Sequence, residues 1–248
     1  FWQLLSLALY LILAFNFSNR PACQNAFKTF FAHRVGDVSF LCGIFLAYKY
    51  FGTLEFNDLF RLAAEKPQMI SLFSGIVNIS AVTAIALLIF VGAIAKSSQF
   101  PLHVWLPDTM DSPTPVSALM HAGIVNAGGF LLNRLAPFYA LSPNTLHIVF
   151  MVGLLTVILG ASMMLAQNDI KKTLGFSTMA QMGYMIMECG LGAFALAIFH
   201  LIAHGFFKAS LFLHSGQGIH TSREEPKFPD SSGHEVKISY NQLSFVIN

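Results

Sequence analysis

The sequence predicts an all-α membrane protein, a polytopic bundle of transmembrane helices with one discontinuous helix near residues 96–110. Three observations carry that prediction. Of 248 residues, 55% are hydrophobic and only 10% are charged, against about 25% charged in soluble domains. Mean hydropathy is +0.62, and 25 residues are Phe. The few charges are also uneven, because the 34 residues from Ser215 onward hold 7 of the 26. A chain of this kind is not a water-soluble enzyme, a nucleic-acid binder or a disordered polymer. It divides into a transmembrane domain over 1–214 and a polar C-terminal tail over 215–248.

A bilayer core of about 30 Å needs about 20 apolar residues per helix. Seven stretches meet or approach that length: 1–16, 29–51, 69–95, 114–136, 145–166, 173–190 and 192–213. The first opens on Phe-Trp-Gln inside an apolar run, without an initiator Met or a basic leader. That reads as a start within a span and not as a signal peptide. Turn chemistry separates the others: NFSNRP at Asn16–Pro21, LAQNDIKK at Leu165–Lys172, and LSPN at Leu141–Asn144, where Ser or Asn can cap the next helix. The join at Gly190–Gly192 is short enough to make its two helices antiparallel neighbours. Lys and Arg in short loops set orientation. Arg20, Lys28, Lys171, Lys172 and the tail fall on one side, while Arg61, Lys66 and Arg134 fall on the other. The first group is the expected cytoplasmic side.

The third span ends in AKSSQFPLHVWLPDTMDSPTP, with Pro101, Pro107, Pro113 and Pro115. Proline lacks an N–H and clashes with the preceding turn, so this stretch is not one helix. It remains rich in Phe, Leu, Val and Trp, which keeps it near membrane depth. Irregular backbone is tolerated there only against protein or a watery cavity, and broken helices in transporters often mark ion sites. The competing reading is an interfacial loop with Trp105 in the aromatic belt.

Ionisable residues within spans are costly, and therefore informative. Lys96 ends an apolar run just before the break. It is either a proton-exchanging lysine or one that snorkels to the headgroups. Asp37 lies a third of the way into the second span, with Arg34 three residues earlier on the same face. It is either a counter-charge for a moving proton or half of a structural ion pair. His121, one turn after Ser117, is either a relay group or a hydrogen-bonded core histidine. His200, His204 and Lys208 recur every four residues and form one stripe. Proton relay, polar packing and a metal site all remain open for that stripe. H-E-x-x-H protease chemistry is excluded, because the interior is Leu-Ile-Ala. Glu188 reads as interfacial, and Cys189 as a small hydrophobe. Cys23, Cys42 and Cys189 are far apart and contain no C-x-x-C, so no disulfide or zinc framework is indicated. A net charge of +2 points to no polyanionic partner.

The motifs AKSSQFPLHVWLPDTMDSPTPVSALMH, NRPACQNAFKTFFAHRVGDV, DIKKTLGFSTMAQMGYM and HLIAHGFFKASLFL carry a resemblance. From about Trp2 to His214 the chain resembles the antiporter-like, proton-conducting membrane subunits of respiratory complex I, subunit L above all. HAGIVNAGGFLL and NRPACQNAFKTFFAHRVGD look most like the DabB branch, found in bacterial inorganic-carbon pumps. The resemblance implies an inverted-repeat antiporter-like fold, and a proton relay at mid-membrane depth along Lys96, His121, His200, His204 and Lys208, with Asp37 as the nearby acid. It also exposes a departure. The family usually has Glu after the Trp of the first span, paired with the lysine of the broken helix, and this chain has Gln3. Glutamine cannot exchange a charge with Lys96, so that ion pair is missing unless Asp37 substitutes.

The expected function is therefore a proton-translocating membrane subunit of an energy-coupled pump for carbon dioxide or bicarbonate, in a bacterial inner membrane. Its expected partners are membrane lipid and other subunits, among them a DabA-like zinc protein. The first alternative is subunit L of a proton-pumping NADH–quinone oxidoreductase, with complex I subunits as partners. The second is a truncated, non-conducting scaffold, suggested by Gln3 and the polar tail. No cofactor is expected in this chain, since it has no cysteine cluster for iron–sulfur and no G-x-G-x-x-G. Any zinc would belong to a partner subunit.

Overall fold

The computed structural model describes residues 1–66, 68–72, 77–110 and 112–224. The polar tail expected over 215–248 lies outside the described residues from 225 onward. The elements run α1 (Trp2–Leu13), α2 (Arg20–Phe51), α3 (Phe56–Glu65), β1 (Met69–Leu72), β2 (Val77–Ser80), α4 (Ala81–Lys96), α5 (Thr114–Ala122), α6 (Ala127–Arg134), α7 (Ala136–Ala140), α8 (Pro143–Leu165), α9 (Ile170–Gly190) and α10 (Phe194–Glu224). Among the described residues, four segments are long and apolar enough to cross a membrane: Arg20–Phe51, Thr114–Arg134, Pro143–Leu165 and Phe194–Ser215. α1 and α4 are shorter apolar helices.

Two expected spans are drawn differently by the fold. The run 69–95 is not one helix, because its first part forms an antiparallel hairpin in which Met69 faces Ser80 and Leu72 faces Val77. Ile70, Ile79 and Val77 suit a pleated surface, and the helix starts only at Ala81. The run 114–136 is also interrupted. α5 ends at Ala122, a single 3-10 turn covers Ile124–Asn126, and α6 follows.

Caps set the boundaries that the sequence announced. Asn19 accepts from the Ala22 N–H at 3.5 Å ahead of α2, with Pro21 in the first turn. Gly52 ends α2 at φ +71°, the left-handed conformation glycine adopts without penalty. Asp169 accepts from the Lys172 N–H at 3.0 Å to start α9.

Close helix approach depends on small residues. α8 and α9 form a hairpin in which a Cβ on Gly153 would stand 2.5 Å from the Met187 nitrogen and 2.8 Å from the Gly183 carbonyl. α2 and α4 meet the same way, for a Cβ on Gly36 would collide with the Ala95 side chain. The next residues along these two helices are Asp37 and Lys96. The outward surface carries Phe27, Phe45, Met151, Ile158, Phe199 and Phe206, all exposed, the apolar belt of a multi-pass membrane protein.

The two ends of the bundle sort the basic residues as the loops suggested. Lys28 pairs with Asp108 at 2.5 Å and Lys171 donates to the Ser112 carbonyl at 3.4 Å, so these segments share one end. At the other end Arg134 lies over the Phe56 ring at 4.8 Å, and Thr83 meets Ser142 at 2.8 Å.

Gly153→Leu should destabilise the folded chain by about 2 kcal/mol, because the α8–α9 backbones must separate. The thermal midpoint of purified protein in detergent reads this directly. Met151→Leu on the lipid face should leave that midpoint unchanged.

Candidate functional site

α4 ends inside the bundle, and its termination builds the first half of the site. Ser97 N–H donates to Ala93 O at 2.9 Å and Gln99 N–H to Ile94 O at 3.0 Å, with Ser98 between them at φ 51°. This is a Schellman ending with Ser where glycine is usual, and the left-handed turn costs about 1 kcal/mol. Trp105 folds back and donates its indole N–H to Ala95 O at 3.0 Å. Phe100 N–H donates to Thr156 Oγ1 at 3.0 Å, tying the break to α8. Trp105 is fully buried, so it does not sit in an interfacial belt.

Lys96 is the last residue of this helix and is fully buried. It does not snorkel. Its Nζ lies 3.7 Å from Asp37 Oδ1 and donates to Ser6 Oγ. Ser6 in turn donates to Asp37 Oδ2 at 2.9 Å, and Arg34 Nη1 reaches the same oxygen at 3.3 Å. The ammonium also lies 5.5 Å from the Trp2 ring centroid. The carbonyl end of α4 adds partial negative charge at this point. Two cations, one carboxylate and one hydroxyl therefore form a single cluster contributed by α1, α2 and α4.

Gln3 stands one turn before Ser6 on α1, half-buried, and makes no side-chain hydrogen bond among the described residues. The carboxylate beside Lys96 comes from Asp37. The ion pair missing at position 3 is thus present in another form.

The second half lies between α5, α9 and α10. Lys208 is buried, and its Nζ donates to Ser177 Oγ at 2.8 Å and to Leu174 O at 3.4 Å. His200 Nδ1 meets Glu188 Oε2 at 3.2 Å, and its Nε2 meets Gln181 Oε1 at 3.1 Å. Both of its nitrogens are therefore engaged by α9. The His200 and His204 rings lie 6.2 Å apart. His204 is buried and neither of its nitrogens is hydrogen-bonded. A cleft of about 420 Å³ is lined by Ser177, Gln181, His200, His204, Phe207 and Lys208. His121 is fully buried, stacks on Phe212 at 4.4 Å, and also has both nitrogens unmatched. The reading of His121 as a hydrogen-bonded core histidine is therefore not what the fold shows.

Glu188 is not interfacial, being only 4% exposed. The tight turn after Gly190 folds α10 back along α9, which brings His200 onto it. Ser6, Ser177 and Gln181 were not singled out by the sequence. Isolated Ser and Gln in apolar helices carry no pattern, and only the packing shows what they touch.

The two halves meet at the two helix breaks. Ser97 Oγ donates to Val125 O at 2.6 Å and accepts from Gly128 N–H at 3.0 Å, so one hydroxyl serves backbone groups freed by the α5–α6 interruption. Asn126 donates to Ala122 O at 2.7 Å, and its Oδ1 is buried without a partner. Buried polar groups thus occupy both halves, with acid–base pairs at Lys96–Asp37 and His200–Glu188 and, among the described residues, no hydrogen-bond partner for His121 or His204.

Comparison with known proteins agrees with this architecture. The family described as NADH:quinone oxidoreductase/Mrp antiporter, transmembrane region, matches residues 1–244. A probable inorganic carbon transporter subunit DabB1 of Halothiobacillus neapolitanus is 49% identical over 98% of this chain and 43% of its own length. The chloroplastic NAD(P)H-quinone oxidoreductase subunit 5 of Cicer arietinum is 48% identical over 89% of this chain and 29% of its own. The chain therefore spans less than half the length of either relative. Among solved structures, the Mrp complex of Dietzia sp. superposes with a TM-score of 0.77 at 30% identity, covering 89% of this chain and 24% of that one. The archaeal membrane-bound sulfane sulfur reductase shares the fold at 24% identity and a TM-score of 0.74, over 86% of this chain and 42% of that one. On the match across nearly its whole length, and on a fold shared with the Mrp complex, this chain belongs to the NADH:quinone oxidoreductase/Mrp antiporter family of membrane subunits.

Proposed function

We propose that the chain forms the proton-translocating core of a membrane subunit in an inorganic-carbon pump. Protons are relayed along Lys96, His121, His200, His204 and Lys208, with Asp37 as the counter-charge. The observation that carries this reading is the burial of Lys96 beside Asp37 at the end of a broken helix. Burying an ion pair rarely stabilises a fold relative to apolar residues, so the pair needs a reason other than stability. A lysine next to a carboxylate and a hydroxyl can hold its proton, and it can release that proton when the carboxylate's charge is drawn elsewhere. Arg34 supplies such a pull, because it shares Oδ2 of the same aspartate.

Beyond the break, His121 and His204 support the relay because buried imidazole nitrogens without protein partners are met by water. Imidazole can take a proton on one nitrogen and release it from the other. Lys208, hydrogen-bonded to Ser177, is the second lysine of the path, and the cleft beside it has room for several waters. The carboxylate of Asp37 beside Lys96 supports a charge-exchanging pair despite Gln3.

The carbon-pump assignment rests on the 49% identity to the DabB1 subunit over almost the whole chain. On that reading the partner is a DabA-like zinc protein and the location is a bacterial inner membrane. The second reading, a proton-pumping subunit of a quinone oxidoreductase, is favoured by the 48% identity to the chloroplastic subunit 5. Purification with bound partners separates the two. A zinc-containing partner with bicarbonate uptake supports the first, and NAD(P)H–quinone activity supports the second.

In membrane vesicles carrying the intact transporter, Lys96→Ala should lower coupled proton transport by about 100-fold. Transport at the wild-type rate would sink the relay reading. Lys208→Ala should lower transport at least tenfold while leaving the thermal midpoint nearly unchanged, since its partner Ser177 can turn to a backbone carbonyl. Asp37→Ala should cost about 3 kcal/mol of stability, because it strands the buried Lys96 ammonium; chemical denaturation in detergent measures this. The double variant Asp37→Ala with Lys96→Met should recover most of that loss.

A further inference from the structure

His33 is a buried ionisable residue that the relay above does not use. Its side chain is fully buried, and neither ring nitrogen makes a hydrogen bond among the described residues. Its ring stands edge-on to Trp105, with centroids 4.5 Å apart and planes at 82°. The Trp105 N–H is already given to Ala95 O, so the indole offers His33 packing only. An apolar ring would fill the same space without two unmatched nitrogens.

The position of His33 along α2 suggests what the nitrogens serve. Ala22, Asn25 and Ala26 line a cavity of about 110 Å³ together with Asn19, Asp108 and Thr109. By helical periodicity Ala22, Ala26, Thr29, His33 and Asp37 share one face of α2. His33 therefore lies about 10 Å inward from the cavity at Ala26, and about 6 Å outward from Asp37. The charged and titratable groups around it come from every packed element. Lys96 comes from α4, Arg34 and Asp37 from α2 itself, and His103 and Asp108 from the segment after the break. α1 brings only Tyr10, whose ring packs on Phe30. Among the described residues of α2, His33 is the one imidazole between cavity and ion pair, and an imidazole can take a proton on one nitrogen while giving one from the other.

We propose that His33 carries protons between this cavity and the Lys96–Asp37 pair, making this face of α2 the route by which Lys96 reaches one membrane surface. Inward transfer breaks an O–H bond of a hydronium on the cavity side and forms an N–H bond at one ring nitrogen, while the N–H bond at the opposite nitrogen breaks and its proton joins a water beside Lys96; a turn of the ring then restores the starting tautomer. Outward transfer is the reverse, and no net charge remains on the ring after either. The inference rests on the reading of Lys96 as a relay lysine.

The test uses the intact transporter in membrane vesicles, with proton uptake followed against pH. His33→Phe keeps the ring against Trp105, and His33→Gln keeps polarity without titration. Both should transport at least about tenfold more slowly than wild type. His33→Ala should behave likewise, and millimolar imidazole should restore its uptake. A wild-type rate in either His33→Phe or His33→Gln would overturn the proposal, as would an unrescued His33→Ala with a wild-type thermal midpoint. Lys96→Ala in the same assay separates the two ideas. If it abolishes transport while the His33 variants do not, the route fails and the relay stands. If it transports normally, the relay itself fails.

Discussion

An ammonium group inside the thickness of a bilayer needs a counter-charge, and at the end of α4 that counter-charge is Asp37, 3.7 Å away. Much of the surrounding structure follows from this requirement. Asp37 lies on α2, so α2 and α4 must come within touching distance. Gly36 and Gly92 allow that approach by leaving no side chain in the interface. Ser6 completes the cluster from α1 by accepting from Lys96 and donating to the carboxylate. A residue with no hydroxyl at position 6 would leave both charges less well satisfied in a medium that offers them little water.

The same lysine explains why the helix stops where it does. Ending α4 at Lys96 points the free carbonyl end of the helix at a cation. It also releases backbone groups that must be satisfied in the interior. Trp105 and Thr156 take up that work. Ser97, at the same break, serves the Val125 carbonyl and the Gly128 N–H of the second interruption, between α5 and α6, and so ties the two irregular segments together. A broken helix beside another broken helix is a stable arrangement in lipid only when their polar groups are matched in this way. The consequence is a polar seam through an otherwise apolar bundle.

Legibility in the sequence varied with the kind of signal. Lys96, Asp37, His121 and the four-residue stripe from His200 to Lys208 stood out because charge in an apolar run is rare. The proline-rich break stood out because proline cannot continue a helix. The hairpin at 69–80 did not, because Ile, Val and Leu in a short apolar run suit a strand as well as a helix. Nor did the α5–α6 interruption, which contains no proline and depends on Ser97 to accept and donate where the helix does not. Glu188 looked interfacial because it lies near a helix end, and the α9–α10 turn brings His200 to it instead.

By itself the sequence determined that the chain lives in a membrane, where most of its apolar segments lie, where one helix breaks and which ionisable residues stand within apolar runs. Hydropathy, proline chemistry and four-residue spacing are local properties, and local properties survive in one dimension. Only the tertiary structure decided what those residues face: that Lys96 meets Asp37 through Ser6, that His200 bridges Glu188 and Gln181, and that His33 is buried against Trp105 with its nitrogens unmatched. Those facts depend on which helix faces which, and that is set by where glycine and alanine let two backbones approach.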